Sequence, residues 1–358
     1  MNQKEAEKWF LKCLAGLGLL LVLTALTVII VDPYFHYHKP FSFLSYRLYE
    51  ERYINDGISR HFDFDALITG TSMAQNFKPS QMDALFGTSS VKETFSGAGY
   101  QEISQNLDRA LSRNKNLKTV IWTLDYNGLL RDHDWVQYDA YPTYLYDDNP
   151  FNDVSYLFNK SILYHGVLTN IAATLSGAPS TTMDEYSSWQ WETGLDKILS
   201  SYDRENVNKN DPTGFGEAER KAVTKTISLN VLDVVNKYPD TTFYIFYPPY
   251  SICYWDALNL KGTLSRQLKA EQTATELLLA CPNVKLYNFF DQYEVICNPD
   301  YYSDDGHYSA EISSRILDWI AQGTGLVTKE NYLEKLEQER AFYSGYDYES
   351  IYKEQAED

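Results

Sequence analysis

Two polar segments, far apart in the chain, contain the residue types of nucleophilic catalysis. The first, GTSM at residues 70–73, follows a short apolar run, and a serine on a tight turn after a strand is exposed at the edge of a sheet. The second, SDDGHYS at residues 303–309, contains His307 three residues after Asp304. A serine hydroxyl needs a neighbouring base because its own pKa is too high for attack. His307 can be that base for Ser72, and Asp304 can orient the imidazole and stabilise its cation.

Asp304 is preferred to Asp305 as the orienting acid. The D-x-x-H spacing lets the carboxylate and the imidazole come from one loop, whereas Asp305 is offset by one residue. We therefore expect Asp305 to point elsewhere, towards solvent or towards the start of the last helix.

Each segment also has a purely structural interpretation. A serine is a common helix cap, and residues 303–309 can be a polar turn before a helix. One histidine with two aspartates lacks a recognisable metal-ligand spacing. His36 and His38 can pair on a metal, but a solvated segment is the better interpretation, because no carboxylate or cysteine completes a site. We therefore predict no metal site and no cofactor.

Short apolar runs alternate with helical patterns, and this alternation would place the reactive residues at one edge of a sheet. The predicted strands are residues 64–69, 91–95, 118–124, 242–247 and 284–289. The predicted helices are residues 103–111, 217–238, 263–280 and 310–321. The last helix has Ser309 and Gly323 as typical first and last caps. Such alternation predicts a parallel sheet with helices on both faces, in which ligands bind at the carboxyl ends of the strands.

The remaining segments complete the predicted domain organisation. Residues 32–62 are an aromatic juxtamembrane segment, and residues 63–325 form the α/β domain. Residues 131–215 break the alternation and are too long for a simple crossover, so we predict a mostly helical, lid-like insertion beside the site. Residues 326–358 are acidic and predict a surface helix followed by a frayed end.

The N-terminal segment predicts a membrane anchor. Residues 13–31 carry no charge, which meets the requirement of ~18 residues for a membrane span. They lack the small-x-small cleavage site of a signal peptide. Lysines at positions 4, 8 and 12 favour a cytoplasmic N-terminus. We predict a single-pass anchor over residues 1–31 with the rest of the chain outside the cell; a buried core helix is the alternative.

Charge and cysteine content exclude other classes of protein. The chain has 49 acidic and 31 basic residues, a net charge of −18, so it repels phosphate backbones and general nucleic-acid binding is excluded. Four cysteines are too few for a disulfide scaffold. Cys253, Cys281 and Cys297 lie beyond the anchor, and one disulfide with a free thiol or no disulfide both remain open.

The GTSM segment after the first strand and the D-x-x-H spacing before the last helix resemble the SGNH/GDSL hydrolase superfamily. The resemblance covers about residues 62–322 without the insertion. The resemblance implies a flavodoxin-like three-layer α/β/α domain with a five-stranded parallel sheet. It also implies that Ser72, His307 and Asp304 form the catalytic triad of that family.

The same resemblance implies an oxyanion hole. In the family it is made by the backbone N–H of the serine, here Ser72, by a glycine N–H after the second strand and by an asparagine side chain after the third. Gly97 fits the glycine best, with Gly99 as the second choice, and Asn127 fits the asparagine. The third block reads DYNG rather than G-x-N-D, so Asp125 can occupy the site instead, and a carboxylate there would oppose an oxyanion.

With its anchor and large insertion, the chain resembles partners of membrane-bound O-acyltransferases, such as the alginate O-acetylation proteins and the D-alanyl-transfer protein of teichoic acid. The resemblance implies a serine esterase or O-acyltransferase that acts outside the cell on ester groups of an envelope polysaccharide. A membrane-bound O-acyltransferase is then a candidate partner. Two alternatives remain: a non-catalytic binding or scaffold subunit, favoured by the departures at Asp125 and Gly128, and a lipid esterase, which the tether allows.

Overall fold

The computed structural model describes residues 3–138, 141–205 and 214–353, and the chain forms two compact units. The first unit contains the described residues of 1–62 and 140–182. The second contains those of 63–139 and 183–358. The residues predicted to form one insertion, 131–215, are therefore divided between the two units.

The helices are numbered along the chain. They are α1 (Gln3–Val31), α2 (Glu51–His61), α3 (Pro79–Phe86), α4 (Tyr100–Arg113), α5 (Tyr126–Leu129), α6 (Val154–Leu157), α7 (Thr169–Leu175), α8 (Leu195–Ser201), α9 (Glu217–Ile227), α10 (Asp233–Lys237), α11 (Ile252–Lys261), α12 (Leu264–Leu278), α13 (Tyr293–Ile296), α14 (Ala310–Gln322), α15 (Tyr332–Gly345) and α16 (Ser350–Lys353). The π-helical segments Ile162–Leu168 and Ser228–Leu232 lead into α7 and α10. Short 3₁₀ turns are formed by Ser72–Ala74, Thr143–Leu145 and Pro299–Tyr301.

The second unit is built on one sheet. Its strands are β1 (Ala66–Gly70), β2 (Ser90–Thr94), β3 (Thr119–Thr123), β4 (Thr242–Tyr247), β5 (Val284–Asn288) and β6 (Leu326–Val327). Their order is β2-β1-β3-β4-β5-β6, and β1 to β5 pair in parallel. Ala66 of β1, which lies between β2 and β3, is opposite Ser90 on one side and Thr119 on the other. The carboxyl ends of five strands therefore meet at one edge, where ligands bind in open α/β sheets.

The predicted α/β class is confirmed, but the sheet has six strands rather than the predicted five. Strands β1 to β5 lie within two residues of the five predicted apolar runs. The sixth strand, β6, has only two residues and pairs antiparallel with β5, with Val327 opposite Leu286. A strand this short leaves no alternation for a sequence pattern to detect. The tail also differs from the prediction, because Glu339 and Tyr343 of α15 are buried and the helix is not wholly a surface helix.

The last helix of the sheet layer starts where its sequence predicts. Ser309 occupies the N-cap of α14, although its hydroxyl makes no capping hydrogen bond. Gly323 ends the helix with a φ of 77°, a left-handed conformation that glycine adopts without steric cost. The residues just before Ser309 are therefore held by the start of a regular helix.

In the first unit, α1 is long and apolar enough to cross a membrane. Its end is part of the folded unit, because Val28 and Val31 are buried and the next residue, Asp32, is fully buried. The carboxylate of Asp32 accepts hydrogen bonds from the backbone N–H groups of residues 36–38 and, at 2.8 Å, from the hydroxyl of Tyr156. These bonds fix the turn by which the chain leaves α1.

His36 and His38 stabilise this turn. His36 Nε2 lies 3.1 Å from an oxygen of Asp153, and His38 Nε2 lies 2.9 Å from the carbonyl oxygen of Ile29 near the end of α1. Both rings are half-buried, whereas residues 39–43 are exposed, so the expectation of a solvated segment is wrong for the histidines themselves. Among residues 3–138, 141–205 and 214–353, no group of three or more side chains could hold a metal ion.

Candidate active site

The nucleophile candidate Ser72 lies on a tight turn directly after β1. Gly70 has a φ of 145°, and a Cβ atom there would lie 2.0 Å from Thr123 Oγ1, so only glycine fits. Thr71 caps the 3₁₀ turn by accepting the backbone N–H of Met73 at 3.3 Å, and its hydroxyl donates to the carboxylate of Asp125. The turn therefore has fixed hydrogen-bond partners on both sides of the serine.

Ser72, His307 and Asp304 form a continuous chain of hydrogen bonds. Ser72 Oγ lies 2.7 Å from His307 Nε2, and His307 Nδ1 lies 2.7 Å from Asp304 Oδ2. An ionised carboxylate only accepts hydrogen bonds, so Nδ1 carries the proton and Nε2 is left to accept the serine proton. This is the arrangement that activates a serine for attack.

The loop around Asp304 holds its carboxylate in place. Asp304 Oδ1 accepts the backbone N–H of Gly306 at 2.9 Å and that of His307 at 2.7 Å. The hydroxyl of Tyr308 donates to the carbonyl oxygen of Met73 at 2.8 Å, which joins this loop to the serine turn. The two segments singled out in the sequence are thus connected by a buried bond as well as by the side chains themselves.

The neighbouring charges set the pKa of the candidate base. Burial lowers the pKa of His307, but the hydrogen bond and charge of Asp304, with the charges of Asp125 and Asp305, outweigh it and raise the pKa above its ordinary value. Burial raises the pKa of Asp304, but its bonds to His307 and Gly306 outweigh burial and hold that pKa below its ordinary value. Asp304 is therefore ionised, as the orienting role requires.

Asp305 does not contact the imidazole through its carboxylate. Its backbone carbonyl oxygen accepts the N–H of Ser251 at 3.1 Å and the hydroxyl of Ser251 at 2.8 Å. The side chain is half-buried and lines the same cavity as Asp304, so it points away from the imidazole as expected, but into the cavity rather than to solvent or to the start of the last helix. Burial and the charge of Asp304 raise the pKa of Asp305.

A cavity of about 250 Å³ opens beside Ser72, and it contains the oxyanion-hole candidates. Gly97 lines this cavity and has a φ of 66°. Asn127 also lines it, and its Oδ1 accepts the hydroxyl of Tyr254 at 3.3 Å, which leaves its amide NH₂ available as a donor. The second choice, Gly99, is glycine for a different reason: a Cβ atom there would lie 2.2 Å from the carbonyl oxygen of Trp135.

Asp125 also lines the cavity. The sequence suggested this position for it, because the segment after the third strand reads DYNG rather than G-x-N-D. One oxygen accepts the hydroxyl of Thr71, and a hydrogen bond with Tyr250 also favours the ionised carboxylate. Burial raises the pKa of Asp125 to about 6, although the bond from Thr71 lowers it. Asp125 and Asn127 therefore share the cavity, and neither replaces the other.

Two tryptophans beside His307 were not identified as site residues from the sequence. Trp189 and Trp191 stack with ring centroids 4.2 Å apart, and both meet the imidazole edge-on at 5.7 and 5.3 Å. The backbone N–H of Trp189 donates to Asn76 Oδ1 at 2.9 Å, which fixes the pair near the serine turn. Trp191 is 52% exposed, so one face of the stack is open to a ligand. Both belong to residues 131–215, the stretch predicted to lie beside the site. The only signal in the sequence was their W-x-W spacing, which places the two rings on the same side of an extended chain.

Comparisons with known proteins give a distant structural similarity. No protein-family profile matches the chain. No curated protein matches it either. The structure of the C-terminal catalytic domain of peptidoglycan O-acetyltransferase A from Streptococcus pneumoniae, with a methylsulfonyl adduct, is similar at 11% identity, over 74% of this chain and 97% of that chain, with a TM-score of 0.31. A similarity at this level supports no conclusion about activity, so the function has to be inferred from the site itself.

Proposed function

We propose that the chain is a membrane-anchored serine esterase or O-acyltransferase that acts outside the cell on ester groups of a cell-envelope polysaccharide. The observation that carries the proposal is the hydrogen-bond chain from Ser72 through His307 to Asp304, with 2.7 Å at both steps. The strand order β2-β1-β3-β4-β5 supports a flavodoxin-like three-layer domain of the SGNH type. No cofactor is needed for this chemistry.

The proposed cycle uses two half-reactions at one serine. His307 Nε2 accepts the hydroxyl proton of Ser72 as Oγ attacks the ester carbonyl carbon, and the imidazolium then protonates the leaving alcohol. His307 next takes a proton from water or from a sugar hydroxyl, whose oxygen attacks the acyl carbon. The imidazolium then gives this proton to Ser72 Oγ as the bond between Oγ and the acyl group breaks, which restores the serine. The N–H groups of Ser72 and Gly97 and the amide of Asn127 would stabilise both oxyanions. Each such donor typically contributes about 10²–10³-fold in turnover.

The tryptophan pair supports a carbohydrate as the acceptor. The apolar C–H face of a sugar ring packs against an aromatic face, and Trp191 offers such a face beside His307. Trp191→Ala should raise KM for a sugar acceptor about tenfold, the value of one good aromatic contact, while Trp191→Phe should keep most of the affinity. Hydrolysis of 4-nitrophenyl acetate is the control, and an equal loss in both reactions would mean that Trp191 only positions His307.

The end of α1 supports an anchor rather than a cleaved signal sequence. Val28 and Val31 are buried in the first unit, and the hydrogen bond from Tyr156 to Asp32 ties the following turn to α6. Cleavage near residue 31 would remove buried apolar side chains from the folded unit. The cytoplasmic position of the N-terminus rests on the lysines at positions 4, 8 and 12.

A fluorophosphonate probe tests the proposal directly. The full-length protein in detergent should be labelled at Ser72, and Ser72→Ala should remove the labelling. Ser303→Ala is a matched control, because Ser303 lies in the loop that carries Asp304 and His307 but is not one of the three triad residues. If the wild-type protein is not labelled and does not hydrolyse an activated ester, the catalytic proposal is wrong.

A non-catalytic binding or scaffold subunit is the second candidate function. The observation in its favour is Asp125, a buried carboxylate in the cavity where an oxyanion would form. Under this alternative the cavity would bind an acylated polysaccharide without turnover. Binding of such a polysaccharide by an unlabelled wild-type protein would establish it.

A further inference from the structure

One helix of the first unit carries apolar residues on its exposed side as well as on its buried side, with His165 and Thr169 as exposed polar neighbours. It consists of the π-helical segment 162–168 continued by α7. Its buried residues are Ile162, Gly166, Val167, Asn170 and Ala173. Its exposed side carries four residues that we call the apolar stripe: Tyr164, Leu168, Ala172 and Leu175.

The apolar stripe is a continuous surface. Its residues are spaced by four, four and three positions, which places them on one face of the helix. Leu175 is 83% exposed and Leu168 is 51% exposed. Contiguous exposed apolar patches mark contact surfaces. Something outside the chain is therefore expected to cover this face.

The packing of this helix places it at the end of α1. A Cβ atom on Gly166 would lie 2.8 Å from Pro33 Cγ, so the helix approaches the chain two residues after α1 ends. The preceding helix, α6, is held there as well, because the hydroxyl of Tyr156 donates to Asp32 at 2.8 Å. The apolar stripe thus belongs to helices packed where the predicted membrane span ends.

Further exposed apolar side chains surround the same place. Phe151, Val154 and Phe158 are exposed and are spaced by three and four positions along α6 and its flanks. Phe41 and Phe43, from the segment after α1, stack with ring centroids 5.1 Å apart and are also exposed. Aromatic side chains are enriched at the boundary between membrane and water.

The charge of this region contrasts with that of the chain. The whole chain carries a net charge of −18, whereas residues 150–182 contain only Asp153 and Lys160 as charged residues. Asp153 is buried and lies 3.1 Å from His36. The surface formed by residues 150–182 is therefore free of the negative charge that would repel anionic lipids.

We propose that the apolar stripe, together with Phe151, Val154 and Phe158, lies on the bilayer surface at the boundary between headgroups and acyl chains. The first unit would then contact the membrane through a second, non-spanning element beside α1. The occupant of this face is lipid, because the face adjoins the end of a membrane span and lacks acidic side chains. This proposal depends on the anchor and not on catalytic activity.

Site-specific photocrosslinking in the full-length protein tests the proposal. A benzophenone amino acid is placed at Leu168, at Leu175 or, as a matched control, at Leu333 of the second unit, which is 59% exposed. A further position, Leu21 in α1, reports the membrane span itself. The protein is reconstituted in vesicles of phosphatidylcholine and phosphatidylglycerol, irradiated and analysed by mass spectrometry. Lipid adducts should form at Leu168 and Leu175 in clear excess over Leu333, because an interfacial helix buries its apolar face among the acyl chains.

Three outcomes would overturn the proposal. Lipid adducts at Leu21 but no excess over Leu333 at the stripe would mean that α1 spans the membrane while the stripe does not touch it. Protein adducts at the stripe in native membranes, without lipid adducts in vesicles, would identify a protein as the occupant. No lipid adduct at Leu21 would remove the anchor and the neighbouring bilayer together. None of these outcomes affects fluorophosphonate labelling of Ser72, so failure of this proposal is distinguished from failure of the catalytic proposal. Only the third outcome would also remove the membrane anchor from the proposed function.

Discussion

The sharpest test of the site is the substitution Asp304→Asn. The new amide can keep its oxygen on the two backbone N–H groups that Asp304 Oδ1 now accepts, so the loop should hold its shape. Its NH₂ group then faces His307 Nδ1, 2.7 Å from the present Oδ2, and can only donate. The imidazole proton is forced to Nε2, the atom that must accept the proton of Ser72. We expect turnover to fall on the order of 10⁴-fold, which corresponds to about 5 kcal/mol of barrier.

The stability cost of this change should be much smaller. One charge-assisted hydrogen bond is lost, which is worth about 2 kcal/mol in unfolding free energy. The matched control is Asp305→Asn, because the Asp305 carboxylate does not contact the imidazole and only raises its pKa. The assay is kcat/KM for 4-nitrophenyl acetate, with urea unfolding of each variant in the same detergent. The reasoning is refuted if Asp304→Asn stays within about tenfold of wild type, or if Asp305→Asn loses as much.

Two further predictions follow from the perturbed carboxylates. Asp125→Asn removes a negative charge that raises the pKa of His307. The acidic limb of the kcat/KM–pH profile should therefore move to lower pH. A limb that stays in place or moves to higher pH would contradict this. Burial raises the pKa of both Glu271 and Glu339 above the ordinary value for glutamate. The folded state therefore binds more protons than the unfolded state, and the unfolding free energy should fall as the pH rises from about 5 to about 8. Glu339→Gln should flatten this fall in urea titrations, and an equally steep fall in the variant would show that the pair is not its cause.

The sequence alone could predict those parts of the fold that depend on local patterns. The runs that became β1 to β5 are short and apolar and are bounded by turns, and the helical stripes between them are long enough to show their period. The D-x-x-H spacing likewise places Asp304 and His307 in one loop, so their contact needed no knowledge of the fold. The contact between His307 and Ser72 could be expected only once the parallel sheet was predicted, because such a sheet brings the carboxyl ends of distant strands together.

Other features could not be predicted because they arise from contacts between distant segments. Strand β6 is two residues long and exists only through its pairing with β5. Trp189 and Trp191 reach His307 from a stretch without a regular pattern. His36 is half-buried because Asp153, far along the chain, lies 3.1 Å away. Apart from the W-x-W spacing of the two tryptophans, none of these contacts leaves a periodicity or a motif in the chain.

Asp125 and Gly128, where the DYNG segment differs from the G-x-N-D pattern of the resembled family, make contacts that hold the serine turn in place. Gly128 is required because a Cβ atom there would lie 2.5 Å from Tyr100 Cζ, and the hydroxyl of that tyrosine donates to the carbonyl oxygen of Asp125. The Asp125 carboxylate in turn accepts the hydroxyl of Thr71, the residue before Ser72. The DYNG block thus connects the end of β3 to the serine turn through packed and hydrogen-bonded contacts. A scaffold protein that had lost catalysis would have no need to hold the serine turn so closely, so these contacts favour the catalytic proposal.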